Sequence, residues 1–136
     1  MSTRLREKRE KLDQLLAILA DEAVKGKPIV VEGKKDVRAL QELGVNGTVL
    51  TVKTGGKSFL EASMEIEKLG ADTVILLLDF DRRGKEWTAR LKRDLERTRI
   101  RADTRFWGKL QALVGREIQC VESLPAYLST LQQKIE

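Results

Sequence analysis

Two short stretches constrain this chain more than any other feature: Val31-Glu32-Gly33-Lys34-Lys35-Asp36 and Leu78-Asp79-Phe80-Asp81-Arg82-Arg83-Gly84. Each follows an apolar run of strand length and opens a segment with helical periodicity, so the order strand, acid, helix occurs twice. In an open α/β sheet the carboxyl ends of parallel strands form the edge where ligands bind. Glu32, Asp79 and Asp81 are therefore expected together at one such edge. Asp79 and Asp81 are two apart and share a face in extended chain, whereas Phe80 between them points the other way. A group of hard oxygen donors suits Mg²⁺, which takes one or two protein carboxylates and leaves its other positions to water and phosphate. Mn²⁺ is the alternative ion. Glu32 reads as a third metal ligand or as a general acid or base, and Gly33 and Gly84 as places where backbone can approach a ligand closely.

The charge pattern supplies the third party. The chain carries 26 Lys and Arg against 21 Asp and Glu, a net charge of +5. From Arg82 to Lys109 eleven cations face four acids, a net +7, and the remainder is slightly acidic. A basic segment that starts inside an acidic motif is the electrostatic footprint of a polyanion. Lys34, Lys35, Arg82, Arg83 and Lys85 stand around the acids and are assigned to nucleic-acid phosphate. The stretch from Arg90 to Lys109 reads equally well as a solvated helix face in a charge-rich, thermophile-like chain. Gly56-Lys57-Ser58, between a strand and a helix, is similar to a phosphate-binding loop, but Thr51 stands where that loop needs its first glycine. Ser58 and Glu61 form a capping box instead, and Lys57 is assigned to a backbone phosphate at the helix N-terminus.

Composition narrows the chemistry. At 136 residues and 41% apolar content the chain is expected to form a single domain, 1–136, with one ordinary core. No apolar run approaches membrane-spanning length and no secretory leader pattern is read at the start, so no membrane partner and a cytoplasmic location are expected. The chain has no histidine and one cysteine, Cys120, which leaves carboxylates, lysines and metal as the chemical means. Cys120, Trp87 and Trp107 read as core residues, and Tyr127 as packing.

Helical periodicity marks 3–24, 34–43, 59–69, 85–98, 106–114 and 125–134, and apolar runs mark strands at 29–32, 48–52, 73–78 and 100–102. The 73–78 run is continuous, as for a central parallel strand covered on both faces. The alternation predicts an α/β sandwich around a mainly parallel four-stranded sheet with helices on both faces.

The two acidic stretches resemble those of the Toprim family, the module of type IA and type II topoisomerases, primases, a ribosomal-RNA maturase and some nucleases. The resemblance rests on Glu32-Gly33 with Asp36 following and on Asp79-x-Asp81-Arg82-x-Gly84. It covers about residues 28–105, with an N-terminal helix (3–24) and C-terminal helices (106–134) added, and is nearest to small stand-alone archaeal proteins of primase-like or maturase-like type. It implies a Rossmann-type sandwich, a glutamate acting as general acid or base, here Glu32, and aspartates holding Mg²⁺, here Asp79 and Asp81. Departures are Phe80, where maturases and type IA enzymes carry proline, and Gly84-Lys85-Glu86, where they carry Gly-Glu. Without a placed tyrosine nucleophile, a topoisomerase is not expected. The reading is a Mg²⁺-dependent nuclease in RNA or DNA processing. The alternative is a non-catalytic nucleic-acid-binding module or accessory subunit, and homodimerisation and docking on a larger processing complex both remain open.

Overall fold

The structure, a computed structural model, describes residues 3–53 and 58–136. Four strands, β1 (Ile29–Val31), β2 (Val49–Thr51), β3 (Thr73–Leu76) and β4 (Arg101–Asp103), form one sheet in the order β2-β1-β3-β4. Every pairing is parallel, with Val31 beside Thr51, Ile29 beside Ile75 and Val74 beside Ala102. The helices are α1 (Thr3–Val24), α2 (Lys34–Glu42), α3 (Phe59–Lys68), α4 (Arg82–Arg97), α5 (Arg105–Val114) and α6 (Leu124–Ile135). A 3₁₀ turn, Val121–Ser123, precedes the last helix.

Alternation along the strands divides the core into two layers. Ile29, Val31, Ile75 and Leu77 face the cluster built with α1, α2, α5 and α6. Val30, Val74, Leu76 and Leu78 face the cluster built with α3 and α4. A sheet covered on both faces explains why β1 and β3 read as unbroken apolar runs.

The order places a switch point between β1 and β3. From β1 the chain crosses to β2 on one side, and from β3 to β4 on the other, the reversal at which an open sheet forms a crevice outside the carboxyl ends of its central pair. Glu32 follows β1, and Asp79 lies just beyond β3.

Most expected elements are present, with three differences. Helix α4 begins at Arg82 rather than Lys85, because Asp81 caps it by accepting the Gly84 N–H at 2.7 Å. The regular part of β3 ends at Leu76, although Leu77 N–H still donates to the Val30 carbonyl at 2.8 Å. The last strand is shifted one residue, to Arg101–Asp103, and ends on a buried aspartate. Gly44 takes φ +81° just past α2, as a terminating glycine should.

Gly84 makes the close approach expected of it, but toward the chain itself. A Cβ there would sit 2.0 Å from the Asp79 carbonyl oxygen, so a glycine is what lets the first turn of α4 press against the end of β3. Gly84→Ala is expected to destabilise by about 1–3 kcal/mol through overpacking. Gly108→Ala, within α5 with no neighbour in reach, should be neutral or stabilising by up to about 1 kcal/mol. Denaturant melts of the two variants check this, and equal effects would contradict the packing account.

Candidate metal and nucleic-acid site

Glu32, Asp79 and Asp81 meet at the switch point, each offering a carboxylate oxygen within 4.8 Å of those of the other two. Their surroundings differ. Glu32 is 5% exposed; its Oε2 accepts the Asp79 N–H at 2.7 Å, and its Oε1 pairs with the Lys53 ammonium. Asp81 is exposed, and its Oδ1 accepts the Gly84 N–H. Asp79 is half-buried between them, and among the described residues no donor is bonded to its carboxylate. Phe80 is buried in the core on the opposite side, its N–H donating to the Gln119 carbonyl at 2.6 Å.

Electrostatics single out Asp79. Burial, and then the charges of Glu32, Asp36 and Asp81, push its carboxyl up to about 7 against the opposing pull of Lys53. A strand-end acid need not be so placed. Asp103, at the end of β4, is held below the usual carboxylate range by the Arg105 guanidinium, which grips it at 2.9 and 3.1 Å. Among the described residues the acids at β1 and β3 have one close ammonium, that of Lys53. Three converging carboxylate oxygens with so little compensation form a donor set that fits a hard divalent cation. Asp79, and Asp81 through its second oxygen, could hold such an ion, whereas both Glu32 oxygens are already engaged.

Three participants lie outside the residues assigned to the site from the sequence. Lys53 follows β2, the third strand whose carboxyl end reaches this edge, and its N–H also donates to the Glu32 carbonyl at 3.0 Å. Its position just past an apolar strand was the available signal. Asp36 accepts the Gly33 N–H at 3.1 Å and the Glu122 N–H at 2.9 Å, tying the start of α2 to the 3₁₀ turn. Burial raises its pKa. Cys120, expected in the core, is half-buried at the site's rim, with its sulfur grouped with Asp36 and Asp79. Burial pushes the thiol pKa up.

The basic residues surround this centre unevenly. Lys34 and Lys35 occupy the first turn of α2, and Arg82 and Arg83 that of α4; all four are exposed. Lys85 faces a cleft with Gln111, Arg116 and Gln119, and Lys57 falls outside the described residues. Gly33 is the residue before α2 and has open space where a side chain would stand. Trp107 packs as expected, donating its indole N–H to the Leu78 carbonyl at 2.9 Å, and Tyr127 packs against the core with Lys8 over its ring. No described helix is long and apolar enough to cross a membrane.

Comparison with known proteins agrees with this architecture. The Toprim domain model matches residues 27–106. A UPF0292 protein of Methanosarcina acetivorans is 34% identical over 95% of this chain and 88% of its own length. One of Methanocaldococcus jannaschii is 36% identical over 88% of this chain and 91% of its own. A solved structure of a protein from Aquifex aeolicus superposes with a TM-score of 0.67 at 25% identity, covering 82% of this chain and 96% of that one. The chain belongs to the Toprim domain family, as a small archaeal-type member with UPF0292 relatives. That membership implies a metal-dependent, nucleic-acid-related function.

The Asp79 shift fixes the direction of a pH effect. Its folded pKa, about 7, lies above the unfolded value of about 4, so its contribution to stability is fully present below about pH 4 and lost as the pH rises through about 7. Discounted for partial exposure to about 1–2 kcal/mol, this is a fall in Tm of about 5 °C across that range in EDTA. Asp79→Asn should flatten the profile, and Mg²⁺ or Mn²⁺ should restore stability mainly at its upper end. A wild-type profile that matches that of Asp79→Asn, with or without metal, would contradict the assignment.

Proposed function

We propose that this Toprim protein hydrolyses nucleic-acid phosphodiesters with the help of a divalent cation, Mg²⁺ or Mn²⁺, as a small nuclease in RNA or DNA processing. The observation that carries the reading is the pairing of opposite charges across one edge. Lys34, Lys35, Arg82 and Arg83 sit in helix first turns, where the helix dipole disfavours cations. Asp79 sits in a cluster of acids that disfavours its own charge. A phosphate bridging a cation on Asp79 and Asp81 to these basic side chains relieves both costs at once.

In this reading Asp79 and Asp81 hold the metal, whose chemistry is to neutralise charge on the scissile phosphate. Glu32 takes the proton from the attacking water. Lys53 and the Asp79 N–H fix the orientation of that carboxylate. Lys34, Lys35, Arg82 and Arg83 hold the flanking phosphates, and Lys85 extends the positive surface toward the cleft beside α5.

Labelled RNA and DNA panels incubated with Mg²⁺, Mn²⁺ or EDTA test the reading. Cleavage is expected only with metal. Asp81→Asn keeps a helix-capping side chain and should lower turnover by about a hundredfold or more, as should Glu32→Gln. Glu32→Gln should still show metal-dependent melting, because its oxygens are committed to Lys53 and the Asp79 N–H. Replacing Arg82, Arg83 and Lys85 with Ala should weaken binding and flatten its salt dependence. If wild type and Asp81→Asn behave alike in cleavage, metal-dependent melting and binding, the protein is a non-catalytic binding module.

A further inference from the structure

Apart from Lys85, helix α4 distributes its positive charge in two distinct ways. Arg82, Lys92, Arg93 and Arg97 lie within ion-pair distance of Glu86, Glu96 or Asp94, so their charge is balanced on the helix itself. Arg83 and Arg90 have no carboxylate partner among the described residues and lie over aromatic rings instead. The Arg83 guanidinium is 5.6 Å from the Trp87 ring centroid, and that of Arg90 is 3.9 Å from the Phe59 centroid. The two rings meet edge to face at 5.3 Å and 76°. Both rings are half-buried, packed against the α3–α4 core on one side.

The four residues form a continuous surface. Arg83, Trp87 and Arg90 follow the four-then-three spacing that puts residues on one helix face, and Phe59 is the first residue of α3. The surface begins two residues beyond Asp81 and reaches about 10 Å along α4. Guanidinium groups held over rings by cation–π attraction keep N–H groups available to phosphate. Bases stack on aromatic rings and on guanidinium planes when they are not already stacked on one another. In a duplex they are so stacked, and only its phosphates would meet this surface.

We propose that Arg83, Trp87, Phe59 and Arg90 form a track for single-stranded nucleic acid, which leads an unpaired segment to the carboxylates at the head of α4. The proposal rests on the nucleic-acid function above and names its substrate class.

The test measures binding in EDTA, apart from cleavage, with labelled oligo(dT) and oligo(rU) of about twelve nucleotides and a duplex of the same length. Single strands should bind more tightly than the duplex and quench tryptophan emission. Trp87→Leu should lose that quenching, although Trp107 remains. Trp87→Leu and the exposed double variant Arg83→Lys/Arg90→Lys, which keeps the charge and removes the guanidinium planes, should each weaken single-strand binding about tenfold or more and change duplex binding much less. The double variant alters only solvent-facing groups and serves where Trp87→Leu melts early. A similar affinity for oligo(dT) and oligo(rU) fits stacking that ignores the sugar, and a preference for one identifies the natural strand; either supports the track. Equal or tighter duplex binding, or variants that weaken both substrates alike, overturns it. If the variants lose single-strand binding while wild type cuts nothing with Mg²⁺, the track stands and the hydrolytic reading falls. If wild type cuts single strands and both variants do so with unchanged KM, the hydrolytic reading stands and the track falls.

Discussion

One hydrogen bond joins the two strand ends that make the site: the Asp79 N–H donates to Glu32 Oε2 at 2.7 Å. It forms because β1 and β3 are neighbours in space although α2, β2 and α3 lie between them in the chain. Glu32 is nearly fully buried, and a carboxylate there is costly unless its oxygens are matched. The Asp79 N–H matches one and Lys53 the other. The same bond draws the Asp79 carboxyl against Glu32, with Asp81 and Asp36 near, and the surplus of negative charge falls on Asp79.

The surrounding structure holds that surplus in place. Asp81 is fixed as the cap of α4, Gly84 lets the helix press on the Asp79 carbonyl, and Asp36 ties the start of α2 to the 3₁₀ turn. Groups held this firmly cannot move apart to relieve repulsion, so relief must come from a cation or a proton. The basic first turns of α2 and α4 pose the opposite problem and are relieved by an anion. In the proposed reading, a metal-bound phosphodiester would meet both demands.

Much of this was legible in the sequence because period and position sufficed. Continuous apolar runs at 29–32 and 73–78 declared buried parallel strands, and the acids after them gave Glu32, Asp79 and Asp81, which the structure brings together. What was not legible depends on packing across distant segments. Asp81 as a cap moved the start of α4 back to Arg82, since Asp81-Arg82-Arg83-Gly84 reads equally well as a loop. Lys53 becomes Glu32's partner only once β2 lies beside β1. Trp87 packs against the core as its helical spacing implies, but its edge-to-face contact with Phe59, which precedes it by 28 residues, depends on α3 lying beside α4. Cys120 sits at the site's rim because the segment before α6 folds back over α2, and no local pattern foretells that.

The most direct test of the central claim, that these carboxylates hold a divalent cation, is a crystal structure of the protein soaked in Mn²⁺, read by anomalous scattering. The account predicts one peak at the β1–β3 switch point with oxygens of Asp79 and Asp81 as ligands and Glu32 still bonded to Lys53 and the Asp79 N–H. Full soaking with no peak at that edge, or an ion held by other residues while Asp79 and Asp81 remain unligated, would contradict it.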